Sequence, residues 1–334
     1  MINDDNLNLD KTNSKKDFPL VSILLAVYKA NENWLIEQLI SLNEQTYDNV
    51  ELLVYDDCPD FPVNEELIEK YITKFPYTLI RGANNKGSNK AFEQLTKVAN
   101  GEFFAYCDQD DIWEKEKISL MVDGFAHEDV TLVCSDLSII DENGKKIADS
   151  LTEIRKRIVY RSGYNLAKDL LMTNFVTGCA MMVKREIAQK AIPFEETLIH
   201  DQWIAIIAAI NGKIEFIDKP LVKYRQHSFN QTGILKGVYD KKTYYNKRIE
   251  DFLYRYESLQ ERLNYEELKE HINNCLMWIE ARKNYFQRPN IKDLKIMIKY
   301  RNFHKISILI ELLLPFLTNS IFKYIIKLTK KGIL

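Results

Sequence analysis

Three carboxylates crowd the end of one apolar run. In "FFAYCDQDDIW" the stretch from Phe103 to Cys107 leads straight into Asp108, Asp110 and Asp111. Carboxylates repel one another and resist burial, so such a group needs water, a cation or hydrogen-bond donors. Asp108 and Asp110 at a strand end, with open water positions, suit Mg²⁺ or Mn²⁺, which favour carboxylate, water and phosphate oxygens. Such a metal would bridge to a diphosphate. The competing role for Asp110 or Asp111 is to cap a helix beginning near Trp113. A second pair, Asp56 and Asp57 in "VYDDCPD", lies one βα unit earlier. It can accept hydrogen bonds from a nucleotide's ring N–H and ribose hydroxyls, or simply shape a turn.

Other segments add single candidates. "ANNKGSNK" places Asn84, Gly87 and Asn89 ahead of a helix, yet the chain has no G-x-G-x-x-G and no G-K-[ST]. Dinucleotide and P-loop sites are therefore poor fits. Asp201 in "HDQW" opens an apolar helix, where Asp is a favoured cap or first-turn residue. In "YRQHSFNQTG", Arg225 suits a diphosphate or a surface salt bridge, and His227 and Asn230 can approach a diphosphate or metal. Trp113 and Trp203 can wall a sugar site or pack in the core.

The elements that position these residues alternate. "FPLVSILLAVYK", "NVELLVYDDCPD", "YTLIRGA" and "EFFAYCD" read as strands, the first buried on both faces. "NWLIEQLISLNEQ", "NEELIEKYITKF" and "GSNKAFEQLTKVANG" read as the helices between them. This predicts a parallel α/β sheet, in which ligands sit outside the carboxyl ends of the strands. Both acidic groups then share one rim. Further on, "VTLVCSDLSIIDENGKKI" predicts a hairpin turning at "DENGK", "TGCAMMVKRE" a short strand, and "HDQWIAIIAAING" a helix stopped by Gly212. "KIEFIDKPLVKYRQH" predicts a strand interrupted at Pro220, and the chain beyond Tyr239 is helical.

The totals set bounds. A chain of 334 residues with 46% hydrophobic content can bury a large core. A net charge of −2 argues against nucleic acid as a partner. The charge is uneven: from Arg288 onward ten Lys or Arg face two acids, Asp293 and Glu311, an excess of +8, so the remainder carries −10. Five scattered cysteines, none in C-x-x-C, fit a reducing compartment and no zinc site. Residues 1–17 are polar and are expected to be a disordered lead-in rather than a signal peptide. Residues 18–238 form the expected main domain and 239–334 a helical extension. Its end, "ISILIELLLPFLTNSIFKYIIKL", is interrupted by Glu311, Pro315 and Asn319. It is expected to lie on an anionic inner membrane surface, with packing on the main domain as the alternative.

Taken in order, these segments resemble the family 2 inverting glycosyltransferases of GT-A fold, in the rhamnosyltransferase-like branch, over residues 18–235. The resemblance implies an α/β, mostly parallel nucleotide-sugar-binding sheet flanked by helices. It implies that Ala26, Tyr28 and Glu32 line the base and ribose pocket, and that Asp56 or Asp57 meets the pyrimidine. Asn84, Gly87, Gln109, Gly178 and Arg225 fall within its nucleotide-sugar segments. Asp108 would bind ribose or metal, Asp110 would be the principal ligand of Mn²⁺ or Mg²⁺ with His227 nearby, and Asp201 would be the general base. The implied donor is a nucleotide-diphosphate sugar, dTDP-L-rhamnose or a UDP-sugar. The implied acceptor is a glycan or lipid-linked glycan at the cytoplasmic face of the membrane. Cys58, Pro59 and His200 depart from the commoner family residues. A sugar nucleotidyltransferase and a catalytically silent membrane-assembly partner are the competing readings.

Overall fold

A computed structural model describes residues 18–227, 235–303 and 311–330. The four strands read from the sequence are β1 (Val21–Val27), β2 (Val50–Asp56), β3 (Tyr77–Arg81) and β4 (Phe103–Cys107). They are joined through α1 (Glu32–Asn43), α2 (Glu65–Tyr71) and α3 (Ser88–Val98), and lie parallel in the order β3-β2-β1-β4. β1 and β4 run almost wholly buried, because helices cover both faces of the sheet. One face packs Leu24, Leu53 and Tyr106 with Phe92 and Leu95 of α3. The other packs Ile23, Leu25 and Val54 with Leu35 and Leu39 of α1.

Beyond β4 the sheet becomes mixed. It continues through β8 (Met181–Lys184), β6 (Val130–Ile140), β9 (Lys213–Arg225) and β5 (Ile112–Trp113), with β7 (Lys146–Ala148) hairpinned onto β6. β8 runs antiparallel to β4 and β6, whereas β6 and β9 are parallel. α4 (Lys117–Asp123), α5 (Leu151–Ile154), α6 (Ala167–Met172) and α7 (Arg185–Lys190) are short. α8 (His200–Asn211) is buried nearly all round, as "AIIAAI" requires, and Gly212 ends it. β9 is not broken at Pro220. Pro220 lacks an N–H for the ladder, and the register against β6 slips there instead. Trp113 and Trp203 are both 2% exposed, so they pack in the core and wall no sugar site.

The extension comprises α9 (Lys241–Tyr245), α10 (Asp251–Arg262), α11 (Glu266–Gln287), α12 (Ile291–Lys299) and a last described helix, Asn319–Lys330. Leu253, Tyr256, Ile272 and Trp278 of α10 and α11 join the core that α3, α6 and α8 share. The last helix packs Phe322 and Ile326 against Val238 and Tyr244. Just before it, buried Glu311 takes hydrogen bonds from Arg282 Nε (2.7 Å) and Tyr244 (2.6 Å). One face of the tail therefore packs on protein. Its other face exposes Leu313, Phe316, Ile321 and Tyr324. Among the described residues no helix is long and apolar enough to cross a membrane.

Candidate active site

The parallel strands deliver the expected acids to one rim. Asp56 ends β2, Asp57 follows it, and Asp108–Asp111 follow β4. At the end of β1, Gln109 brackets Tyr28: its Oε1 accepts from Tyr28 N (2.7 Å) and its Nε2 donates to Tyr28 O (3.0 Å). The Asp108–Asp111 loop is thus stitched to the strand end where Ala26 is half-buried and Tyr28 and Glu32 are exposed.

Asp56 and Asp57 are both buried, and both hold loops. Asp56 accepts from Cys58 N (3.1 Å), Val63 N (2.8 Å) and Arg81 (3.2 Å). Asp57 accepts from Lys86 N and Gly87 N, each at 2.8 Å. Gly87 sits at φ +82°, a left-handed conformation that favours glycine. Asp57 thereby ties β2 to the Asn84–Gly87 loop, where Asn84 is exposed.

The three acids after β4 separate sharply. Asp110 is partly exposed, and its Oδ2 lies 2.8 Å from His227 Nε2. A carboxylate oxygen beside an imidazole nitrogen is a donor set that fits Mn²⁺. Asp108 does not join that pair. Its nearest ligating neighbours are Asp111 and Cys179, and the ligand atoms of the three lie within 4.8 Å of one another. Burial, then the charges of Asp111, Asp110 and Asp201, push the Asp108 carboxyl well above its usual range. Asp111 does not cap a helix, contrary to expectation. It is fully buried and accepts from Arg225 N (2.9 Å), while α4 starts six residues later with no side-chain cap.

Two buried cations offset these acids. Lys117 is fully buried, stacks on Trp113 and donates to Cys179 O (2.6 Å). Burial lowers its ammonium to about 7. Arg225 is 1% exposed and is neither a surface salt bridge nor aimed at open solvent. Its guanidinium donates to Asp110 O (2.8 Å), Asp141 O (3.3 Å) and Glu142 O (3.4 Å), and pairs with Glu37. Its planar fork suits several carbonyls at once, so it clamps the Asp108–Asp111 loop to the Asp141–Glu142 turn. Asn230 lies outside the described residues.

Asp201 sits one residue inside α8 and is not its cap, which is Ile199. Its Oδ2 accepts from Gly178 N (3.0 Å) and its Oδ1 from Asn174 Nδ2 (2.9 Å). Gly178, expected among the donor contacts, serves this carboxylate. A side chain at position 178 would stand 2.7 Å from His200 Nε2. His200 packs on Phe92 at 4.1 Å and is held neutral, its pKa lowered to about 3 by burial. It packs between Phe92 and Tyr106. Burial raises Asp201 to about 7, against the donors from Gly178, Gln202 and Asn174, which lower it. A base titrating there must lose its proton to act. With Mn²⁺ saturating, kcat/KM is expected to fall about tenfold per pH unit below about 7 and to level off above it; a flat pH–rate profile from 5.5 to 8 would contradict this. Nothing in the composition marked Asn174 or Lys117. The only signal was their place in "TNFVTGC" and "IWEKEK", beside segments already singled out.

A parallel sheet with paired acids at one rim, a mixed second half and a buried carboxylate opening α8 defines the GT-A fold of glycosyltransferases. The glycosyl transferase family 2 model matches residues 22–191, and the chain belongs to that family. Among its relatives, a glycosyltransferase of Methanocaldococcus jannaschii is 26% identical over 78% of this chain and 85% of its own. The dTDP-rhamnosyl transferase RfbG of Shigella flexneri is 27% identical over 63% of this chain and 73% of its own. The structure of S. aureus TarS 1–349 with UDP-GlcNAc superposes with a TM-score of 0.57 at 15% identity, covering 94% of this chain and 92% of that one. The chain spans 50% of a longer TarS structure.

Proposed function

We propose that the protein is an inverting, divalent-metal-dependent glycosyltransferase that moves a sugar from a nucleotide diphosphate to a glycan or lipid-linked acceptor in cell-surface polysaccharide synthesis. The observation that carries this reading is Asp201. It is a carboxylate raised to about 7, held by donors from Asn174, Gly178 and Gln202 and close enough to Asp108 for its charge to act there. L-Rhamnose from dTDP-L-rhamnose is the first donor candidate, supported by the similarity to RfbG. UDP-sugars follow, since TarS was solved with UDP-GlcNAc.

The chemistry follows from the residues. The acceptor hydroxyl attacks the anomeric carbon on the face opposite the diphosphate, and its proton passes to Asp201. The bond from the anomeric carbon to the diphosphate oxygen breaks, and its electron pair stays on that oxygen. The new acceptor-oxygen bond forms with inversion. Asp110 and His227 would hold Mn²⁺ or Mg²⁺, which would supply Lewis-acid neutralisation of the leaving diphosphate. Arg225 and Gln109 fix the loop that carries these ligands. A donor panel tests the reading: product of opposite anomeric configuration to the donor is expected, and retained configuration would overturn it.

We also place the enzyme at the cytoplasmic face of the membrane. Exposed Leu313, Phe316, Ile321 and Tyr324 lie near exposed Lys323 and Lys327, a mixture suited to an anionic lipid surface. Co-sedimentation with phosphatidylserine-containing vesicles is expected, weakened at least fivefold by Lys323→Glu with Lys327→Glu. Equal recovery with and without vesicles would contradict it.

A further inference from the structure

We infer that Asn174 is the positioning residue of the catalytic base, and that Asp201 Oδ2 is the oxygen that takes the acceptor's proton. The inference rests on the reading of Asp201 as base. A carboxylate offers about four acceptor positions, two on each oxygen. Oδ1 receives two donors, Asn174 Nδ2 (2.9 Å) and the Gln202 amide (2.5 Å). Oδ2 receives one, the Gly178 amide (3.0 Å). Among the described residues, then, the open acceptor position belongs to Oδ2.

Asn174 is itself fixed. Its Oδ1 accepts from Val176 N (3.0 Å), which leaves its amide group aimed at Asp201. The half-buried Asn174 and the buried Gly178 are the two ends of a five-residue segment that grips both carboxylate oxygens, so one short loop helps set the carboxyl plane. Without the Asn174 amide, only the Gln202 and Gly178 amides hold the carboxylate, and its plane turns more easily about the Cβ–Cγ bond. A base must stand within hydrogen-bond reach of the hydroxyl it deprotonates, so a turned plane costs rate before it costs binding. Among the described residues, the charged groups that act on Asp201 besides its donors are Arg155 after α5 and Asp108 after β4. Neither of them replaces an N–H donor to Oδ1.

The test is Asn174→Asp, which keeps shape but replaces the donor with an acceptor, beside Asn174→Ala. Transfer kcat is expected to fall roughly 10- to 100-fold in both, with the dissociation constants of Mn²⁺-UDP and Mn²⁺-dTDP within twofold of wild type. The acid limb of kcat/KM should move upward in both, and further for Asn174→Asp, because a donor to the charged form is lost and a like charge is added. A kcat within twofold of wild type with an unmoved limb overturns the inference, as does a loss of nucleotide affinity in step with kcat. The wild type gives an independent check if either variant fails to fold. The Asn174 side-chain amide proton should titrate with the midpoint of the limb, and a pH-independent signal overturns the inference. Loss of transfer in Asp201→Asn with normal Asn174 variants defeats only this inference, whereas normal transfer in Asp201→Asn defeats the base assignment beneath it.

Discussion

Asp201→Asn is expected to lower glycosyl transfer by about 10³-fold while leaving nucleotide affinity within twofold. The substitution keeps the shape of the side chain and removes its basicity. The acceptor hydroxyl then has no group to take its proton as it attacks. Asp201 is not among the groups proposed to hold the donor or the metal, so donor binding is expected to be spared. Gly178 N and Asn174 Nδ2 both donate to the carboxylate. An amide at position 201 can satisfy one of them through its carbonyl, and the fold survives. Steady-state kinetics with parallel calorimetry decide the matter. Transfer within tenfold of wild type would return Asp201 to a structural role at the start of α8.

Arg282→Met is expected to destabilise the protein by about 3–5 kcal/mol. Arg282 and Glu311 are 5% and 4% exposed and face each other inside the extension. Removing the cation alone strands a buried carboxylate that, among the described residues, keeps the Tyr244 hydroxyl as its hydrogen-bond donor. Replacing both, Arg282→Met with Glu311→Leu, removes charge in pairs and should recover most of the loss. Denaturant unfolding measures both variants. Limited proteolysis should show the chain after Glu311 released in the single variant. A loss below about 1 kcal/mol would mean that the tail is held by something other than this pair.

Much of the architecture was legible because it rests on periodicity. The alternation of apolar runs with amphipathic stretches fixed β1 to β4, and an all-apolar α8 could only be buried. The acids at the strand ends followed from topology, since parallel strands deliver their carboxyl ends to one rim. What the sequence hid depends on contacts between distant segments. Asp111 looked like a helix cap because it precedes a helix by a few residues. In the fold it meets Arg225, which arrives 114 residues later on β9. Arg225 looked like a phosphate ligand for its chemistry alone, and the same chemistry serves backbone carbonyls and the Glu37 carboxylate on the protein side. Lys117 stands in the charged stretch "EKEK", which carries no mark of burial, yet the fold encloses it beside Cys179 and the acid cluster. Gly178 was placed near the donor, but its role is to let His200 approach and to offer an N–H to Asp201. Side-chain direction within a loop leaves no periodic trace, and these assignments all depended on it.

The tail shows the same limit in another form. Its apolar content and basic excess suggested a lipid surface, and a packed helix pair has the same composition. The fold uses Phe322 and Ile326 inward and leaves Phe316, Ile321 and Tyr324 outward. Composition alone does not divide a helix into faces that meet different partners.

The central claim is that this rim binds a nucleoside diphosphate through a divalent cation held by Asp110. Calorimetric titration with UDP and with dTDP, each with and without Mn²⁺, measures it directly on the full chain. At least one nucleotide is expected to bind in the micromolar range with Mn²⁺ and at least tenfold more weakly without it, and Asp110→Asn should abolish the difference. Absence of binding by both nucleotides in the presence of Mn²⁺, or equal affinity with and without the metal, would contradict the account.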